Sequence, residues 1–226
     1  MPPHHLPADG GLIYTETNVD HFFPEPLNMV TSALFLIPAL YWLIRLKGFD
    51  KRYIFLSIAT YFLLTACIGS TVYHGLRRWA FFIYMDWLPI AALCLLASGY
   101  FWYKVLGKWY YGVLAFAAFI ATVFGIRTFM PVQNLQLSIS LNYGVMGLMI
   151  VLPLFLLLSR MQWRGVGLVL TALLAFATAL FFRVADQWAW VSFGTHFLWH
   201  FFGCGATSAI FLFIYRLKDL PSLALR

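Results

Sequence analysis

Ser70 and His74, then Asp86, then His196 and His200 are the residues of this chain whose types and spacing could do hydrolytic chemistry. Residues four apart on a helix point the same way, one turn above the other, so His196 and His200 share one face and Ser70 and His74 another. Two imidazoles from one helix and a third from a second helix can take three corners of a tetrahedron around zinc. The fourth corner is then left to water, as in a catalytic site. Zinc would bring the pKa of that water toward neutrality, and a nearby carboxylate, Asp86, could orient the water and take its proton. Ser70, one turn before His74, could donate a hydrogen bond to the water or to the oxyanion formed when water attacks a carbonyl.

The elements that must position these residues are written in the composition. The chain has 226 residues, 62% of them hydrophobic and only 10% charged, where a soluble domain carries about a quarter charged residues. Its mean hydropathy is +0.82. Seven apolar runs approach or exceed the ~20 residues needed to cross a hydrocarbon core. They are Pro26 to Leu46, Tyr53 to His74, Ala80 to Tyr103, Trp109 to Ile126, Leu141 to Leu158, Val166 to Phe182 and Trp188 to Tyr215. Backbone polar groups in lipid must be satisfied internally, and the runs lack the alternation of barrel strands, so each reads as a helix. The expected fold is an all-α, seven-helix integral membrane bundle. Residues 1–25 form an amino-terminal segment, 26–215 the bundle and 216–226 a short tail, all of one domain. Each candidate site residue lies in or at the edge of an apolar run, where an ionisable group is costly and marks a functional site.

Charge sets the expected orientation. With the amino terminus outside, eleven of the fifteen basic residues fall inside: Arg45, Lys47, Lys51, Arg52, Lys104, Lys108, Arg160, Arg164, Arg216, Lys218 and Arg226. Arg77, Arg78, Arg127 and Arg183 fall outside. The positive-inside rule therefore puts the carboxyl terminus in the cytoplasm. The net charge of +7 reads as topology, with no basic stripe for nucleic acid. The first 25 residues lack a basic n-region followed by an apolar h-region, so the first helix is expected to direct insertion. Cys67, Cys94 and Cys204 all lie in apolar runs and imply no disulfide framework. In this topology all five site residues share the outer half of the bundle. His196 and His200 would sit ~12–18 Å along a last helix that begins at Trp188. The active site is expected on the extracytoplasmic side, at the cell membrane if the source is bacterial.

At these residues the chain resembles the seven-helix membrane hydrolases that include alkaline ceramidases and the progestin and adipoQ receptors. Gly69-Ser70-Thr71-Val72-Tyr73-His74 is similar to the Gly-Ser-x-x-aromatic-His of alkaline ceramidases, Asp86-Trp87-Leu88-Pro89 to their Asp-x-x-Pro, and Trp199-His200 to their closing Trp-His. The resemblance implies zinc on His74, His196 and His200, water activation by Asp86 and assistance at the oxyanion by Ser70. It also implies hydrolysis of the amide of ceramide, or of another N-acyl lipid, to a free amine and a fatty acid. The partners it implies are the bilayer and a lipid substrate entering from it, with no obligate protein partner. The family further places calcium ahead of the first helix on a Glu-x-Asn and a Glu-x-x-Asn element, similar to Glu16-Thr17-Asn18 and Glu25-Pro26-Leu27-Asn28. Carboxylate and amide oxygens suit that ion. The chain departs from the pattern at Ile13, where the family has an aspartate, and in a shorter gap between the elements; Asp20 is the substitute carboxylate.

Blander readings compete. A lone His-x-x-x-His can be two histidines hydrogen-bonded between helices. Asp86 can neutralise Arg77 or Arg78 at the membrane surface. Haem is the main rival to zinc, with His74 and one histidine of the last helix as axial ligands, although His196 and His200 on one face cannot clamp a single haem between them. The alternative function is a receptor of the adipoQ type in which zinc is mainly structural.

Overall fold

A computed structural model of the chain describes residues 6–129 and 135–217. The expected tail therefore lies, from residue 218 on, outside the described residues. Among the described residues all regular structure is helical: α1 (Pro26–Ala33), α2 (Leu36–Arg45), α3 (Ile54–Leu76), α4 (Ala80–Leu106), α5 (Tyr110–Phe129), α6 (Leu135–Arg160), α7 (Val166–Ala185) and α8 (His196–Arg216). Six of the described stretches are long and apolar enough to cross a membrane: Pro26–Arg45, Lys51–Leu76, Ala80–Leu106, Leu137–Arg160, Val166–Trp188 and His196–Arg216. The apolar part of α5, Tyr110–Ile126, is shorter. Large exposed apolar side chains, among them Ile44, Phe124, Leu148 and Leu174, recur along the helices, as on a surface that faces lipid.

The first spanning stretch is broken between α1 and α2, and the sequence explains where. Pro38 has no N–H to give the carbonyl four residues back, that of Leu34. That carbonyl instead accepts from Ile37 N at 3.0 Å and from the Cys204 thiol at 3.5 Å. The Cys67 thiol reaches the Ser32 carbonyl at 3.6 Å. Two of the three cysteines thus serve as apolar-compatible donors to a helix break.

At one end of the bundle Tyr215 of α8 stacks on Tyr53 at 4.7 Å and lies 5.1 Å from Trp42. Arg45 stands over the same Tyr215 ring. Two buried apolar clusters fill this half, one around Trp42, Leu56, Leu63 and Phe211 and the other around Phe101, Leu154, Val169 and Phe213. At the other end residues 6–25 fold back onto the ends of α3, α7 and α8, with Arg77 bound to Asp9 and Thr15 to Asp186. Arg77 and Arg183, counted by sequence among flanking charges, are both buried at this end.

The last spanning helix departs furthest from expectation, and α6 begins at Leu135 rather than Leu141. The last spanning helix begins at His196, not at Trp188, so His196 stands in its first turn rather than well along it. Residues 186–188 form a 3₁₀ turn, and Ala189 and Gly194 take left-handed backbone conformations (φ 47° and 69°) that break the helical path. Asp186 then caps α8, its Oδ1 accepting from Thr195 N at 2.7 Å and His196 N at 3.0 Å. The apolar content of 188–193 goes into a loop cluster, with Trp188 and Trp190 4.8 Å apart and both against Phe181. Hydropathy cannot separate such a cluster from a helix.

Candidate metal centre

His74 comes from the last turn of α3, and His196 and His200 from the first two turns of α8. All three are buried. Their ring centroids are 5.5 Å apart for His74 and His196, 4.9 Å for His74 and His200, and 4.9 Å for His196 and His200, with interplanar angles of 51°, 73° and 88°. Rings so inclined do not stack; they converge edge-on. One nitrogen from each lies within 4.8 Å of the others, and among the described residues this is the sole such grouping of His, Cys, Asp or Glu.

Nε2 of His74, Nδ1 of His196 and Nε2 of His200 are buried without a hydrogen-bond partner. Each orphaned polar atom costs ~1–3 kcal/mol, and three orphans around one point fit a shared ligand. A metal with bonds of ~2.0–2.1 Å would draw the nitrogens somewhat closer together. Convergence on one point also sets the site apart from a pair of axial haem ligands.

The far nitrogen of His74 is already committed. Glu25 Oε2 accepts from His74 Nδ1, and both side chains are shielded from solvent. This bond fixes the tautomer, leaving Nε2 to face the other histidines. Nothing in the sequence around Glu25, which reads as a calcium motif, signals this role. Burial alone would push the Glu25 carboxyl up; the bond to His74 and the Arg77 guanidinium outweigh it and hold the carboxyl below its ordinary value.

Ser70, one turn before His74, pairs its Oγ with Ser32 Oγ of α1 at 2.9 Å, in a buried contact. Asp86 lies in the second turn of α4, half-buried. It is not the partner of Arg77, whose guanidinium goes to Asp9 and Glu25. Gly69 and Met85 bring the two helices together: a Cβ at Gly69 would fall 2.5 Å from the Met85 carbonyl. Ser70 and Asp86 are the residues that follow this crossing on each helix. Pro89 also deprives Met85 of its usual donor, which loosens α4 at the same point.

Tyr14 closes the site from the side of residues 6–25. Its ring stacks on His196 at 3.9 Å and 24° and lies 5.4 Å from His74, with only 5% of the residue exposed. Burial raises the Tyr14 hydroxyl well above its ordinary value; Arg183 opposes this, while Asp86 and Glu25 add to it.

The four residues expected to hold calcium are turned to other partners. Glu16 caps α1 from a distance, accepting from Leu27 N at 2.5 Å and Asn28 N at 3.0 Å; burial still raises its carboxyl above the ordinary value. Glu25 serves His74, Arg77 and Thr17. Asn28 is buried with its amide 3.4 Å from Glu25. Asn18 is exposed and bonds Asp20 N and His21. Glu16, Asn28 and Glu25 are thus linked to one another, while Asn18 stands apart at the surface.

The chain matches no protein-family model, and no curated protein is significantly similar to it.

Proposed function

We propose that the chain is a zinc-dependent, membrane-embedded amidohydrolase that cleaves ceramide or a related N-acyl lipid to a free amine and a fatty acid. The observation that carries this reading is the grouping of three buried imidazoles, each with a nitrogen that lacks a hydrogen-bond partner; Ser70 lies one turn before His74 on α3, and Asp86 follows the crossing of α3 and α4 at Gly69 and Met85. The resemblance of their motifs to alkaline ceramidases supports the amide as the bond cleaved. We also read the bundle as seven crossings with the amino terminus outside, α5 being the seventh. The basic residues at the Arg45 and Tyr215 end favour that orientation.

Zinc held by His74, His196 and His200 supplies Lewis-acid chemistry, acidifying water and polarising a carbonyl. Asp86 takes a proton from the attacking water and returns it to the leaving amine. Ser70 donates a hydrogen bond to the oxyanion as the carbonyl becomes tetrahedral. Ser32 can steer that donor: when the Ser32 hydroxyl is the donor of the pair, the Ser70 hydrogen is free for substrate. Tyr14 and residues 6–25 cover the histidines from the polar side and keep bulk water out, so a lipid amide enters laterally between helices.

Fatty-acid release from N-acyl lipids in mixed micelles by the purified protein tests this reading. Cleavage that a chelator abolishes and zinc restores is expected; a chelator-insensitive release would refute it.

A further inference from the structure

Calcium is the cation that the resemblance implies for the segment ahead of α1, yet a different cation already stands there. Arg77 caps α3 in a left-handed conformation (φ 50°), unusual for a residue with a side chain. Its side chain is shielded from solvent and turned toward residues 6–25. Nε donates to Asp9 Oδ2 at 2.8 Å; Nη2 donates to Asp9 Oδ1 at 3.2 Å and to the Leu12 carbonyl at 2.8 Å. Nη1 donates to Glu25 Oε1 and reaches Thr17 Oγ1 at 3.5 Å. The Tyr73 ring covers the guanidinium at 4.7 Å.

Two carboxylates, a carbonyl and a hydroxyl are the ligand types a hard divalent cation takes. Here they surround a planar, permanently charged donor that cannot deprotonate. A calcium ion on this set of oxygens, which includes Glu25, could not share the space with the guanidinium.

We infer that Arg77 is a built-in substitute for a bound divalent cation. It neutralises Asp9 and Glu25, fastens residues 6–25 to the end of α3, and holds the Glu25 carboxylate where it orients His74. The protein is therefore calcium-independent, and loss of the guanidinium uncovers a calcium site. The link to His74 rests on the metal reading above; the replacement of calcium by Arg77 does not.

The test is calcium binding by equilibrium dialysis on the detergent-solubilised full chain, with melting temperature read in chelator and in about 1 mM calcium and zinc content measured in parallel. The wild type is expected to take up no calcium and to melt identically in both conditions. Arg77→Ala, prepared in calcium, is expected to bind about one ion with a Kd on the order of 10⁻⁴–10⁻³ M and to melt several degrees lower once calcium is withdrawn. Arg77→Lys, which keeps the charge, should bind far less. Stoichiometric calcium on the wild type would overturn the inference, whether or not Arg77→Ala survives purification. So would an Arg77→Ala protein that takes up no calcium. Because calcium uptake is read separately from zinc, failure here leaves the hydrolase reading to its own test.

Discussion

Glu25 and His74 form a buried pair in which the carboxylate accepts from Nδ1, although one residue precedes the first helix and the other lies in the last turn of α3. The pair ties the segment ahead of the bundle to the candidate metal centre. Partners of this kind tune a metal-binding imidazole and typically account for 10–100-fold in affinity. Glu25→Gln should therefore weaken zinc binding by about that factor in a competition with a chromogenic chelator. Asp9→Asn, which touches Arg77 but not His74, should change it much less. Equal losses in the two variants would show that Glu25 acts only through the fold.

Asp86 is assigned a proton-transfer role with no part in holding metal. Asp86→Asn should retain wild-type zinc content and lose about 10²–10⁴-fold in kcat. Loss of zinc together with activity would make Asp86 a ligand instead.

The Ser32–Ser70 contact predicts that two serines act as one unit. Ser70→Ala should lower kcat by about 10²–10³-fold. Ser32→Ala should lower it by about tenfold or less, the worth of one neutral hydrogen bond. The double variant should be no worse than Ser70→Ala, and additive losses would separate their roles.

The close approach at Gly69 predicts a stability effect of opposite sign to that at an unencumbered glycine. Gly69→Ala must push α3 from the Met85 backbone, at a cost of about 1–3 kcal/mol. Gly125→Ala, where a Cβ meets nothing within 4 Å, should be neutral or slightly stabilising. Melting temperatures in detergent compare the two.

The grouping of His74, His196 and His200 was legible in the sequence because imidazoles stand out in apolar helices and helical spacing fixes their faces. The helical, membrane-spanning character was legible for a similar reason. What surrounds the histidines was not. Tyr14, Asp9 and Glu16 lie in a polar segment without periodicity, where nothing local tells a buried strap from a solvated tail. Arg77 sits at the end of an apolar run, and a charge there reads as an interfacial flank; its inward turn depends on a backbone conformation and on partners more than fifty residues away. The start of α8 was misjudged because the aromatic loop before it is as apolar as a helix, while its capping residue, Asp186, lies ten residues before His196. Ser32 gave no signal at all, since a serine in a spanning helix usually serves packing.

The central claim is a zinc ion on His74, His196 and His200, and elemental analysis of the detergent-purified protein tests it most directly. About one zinc per chain is expected for the wild type, and a small fraction of that for His74→Ala and His200→Ala in preparations that remain folded. Zinc that persists in both variants, or an iron signal with a haem spectrum in place of zinc, would contradict the account.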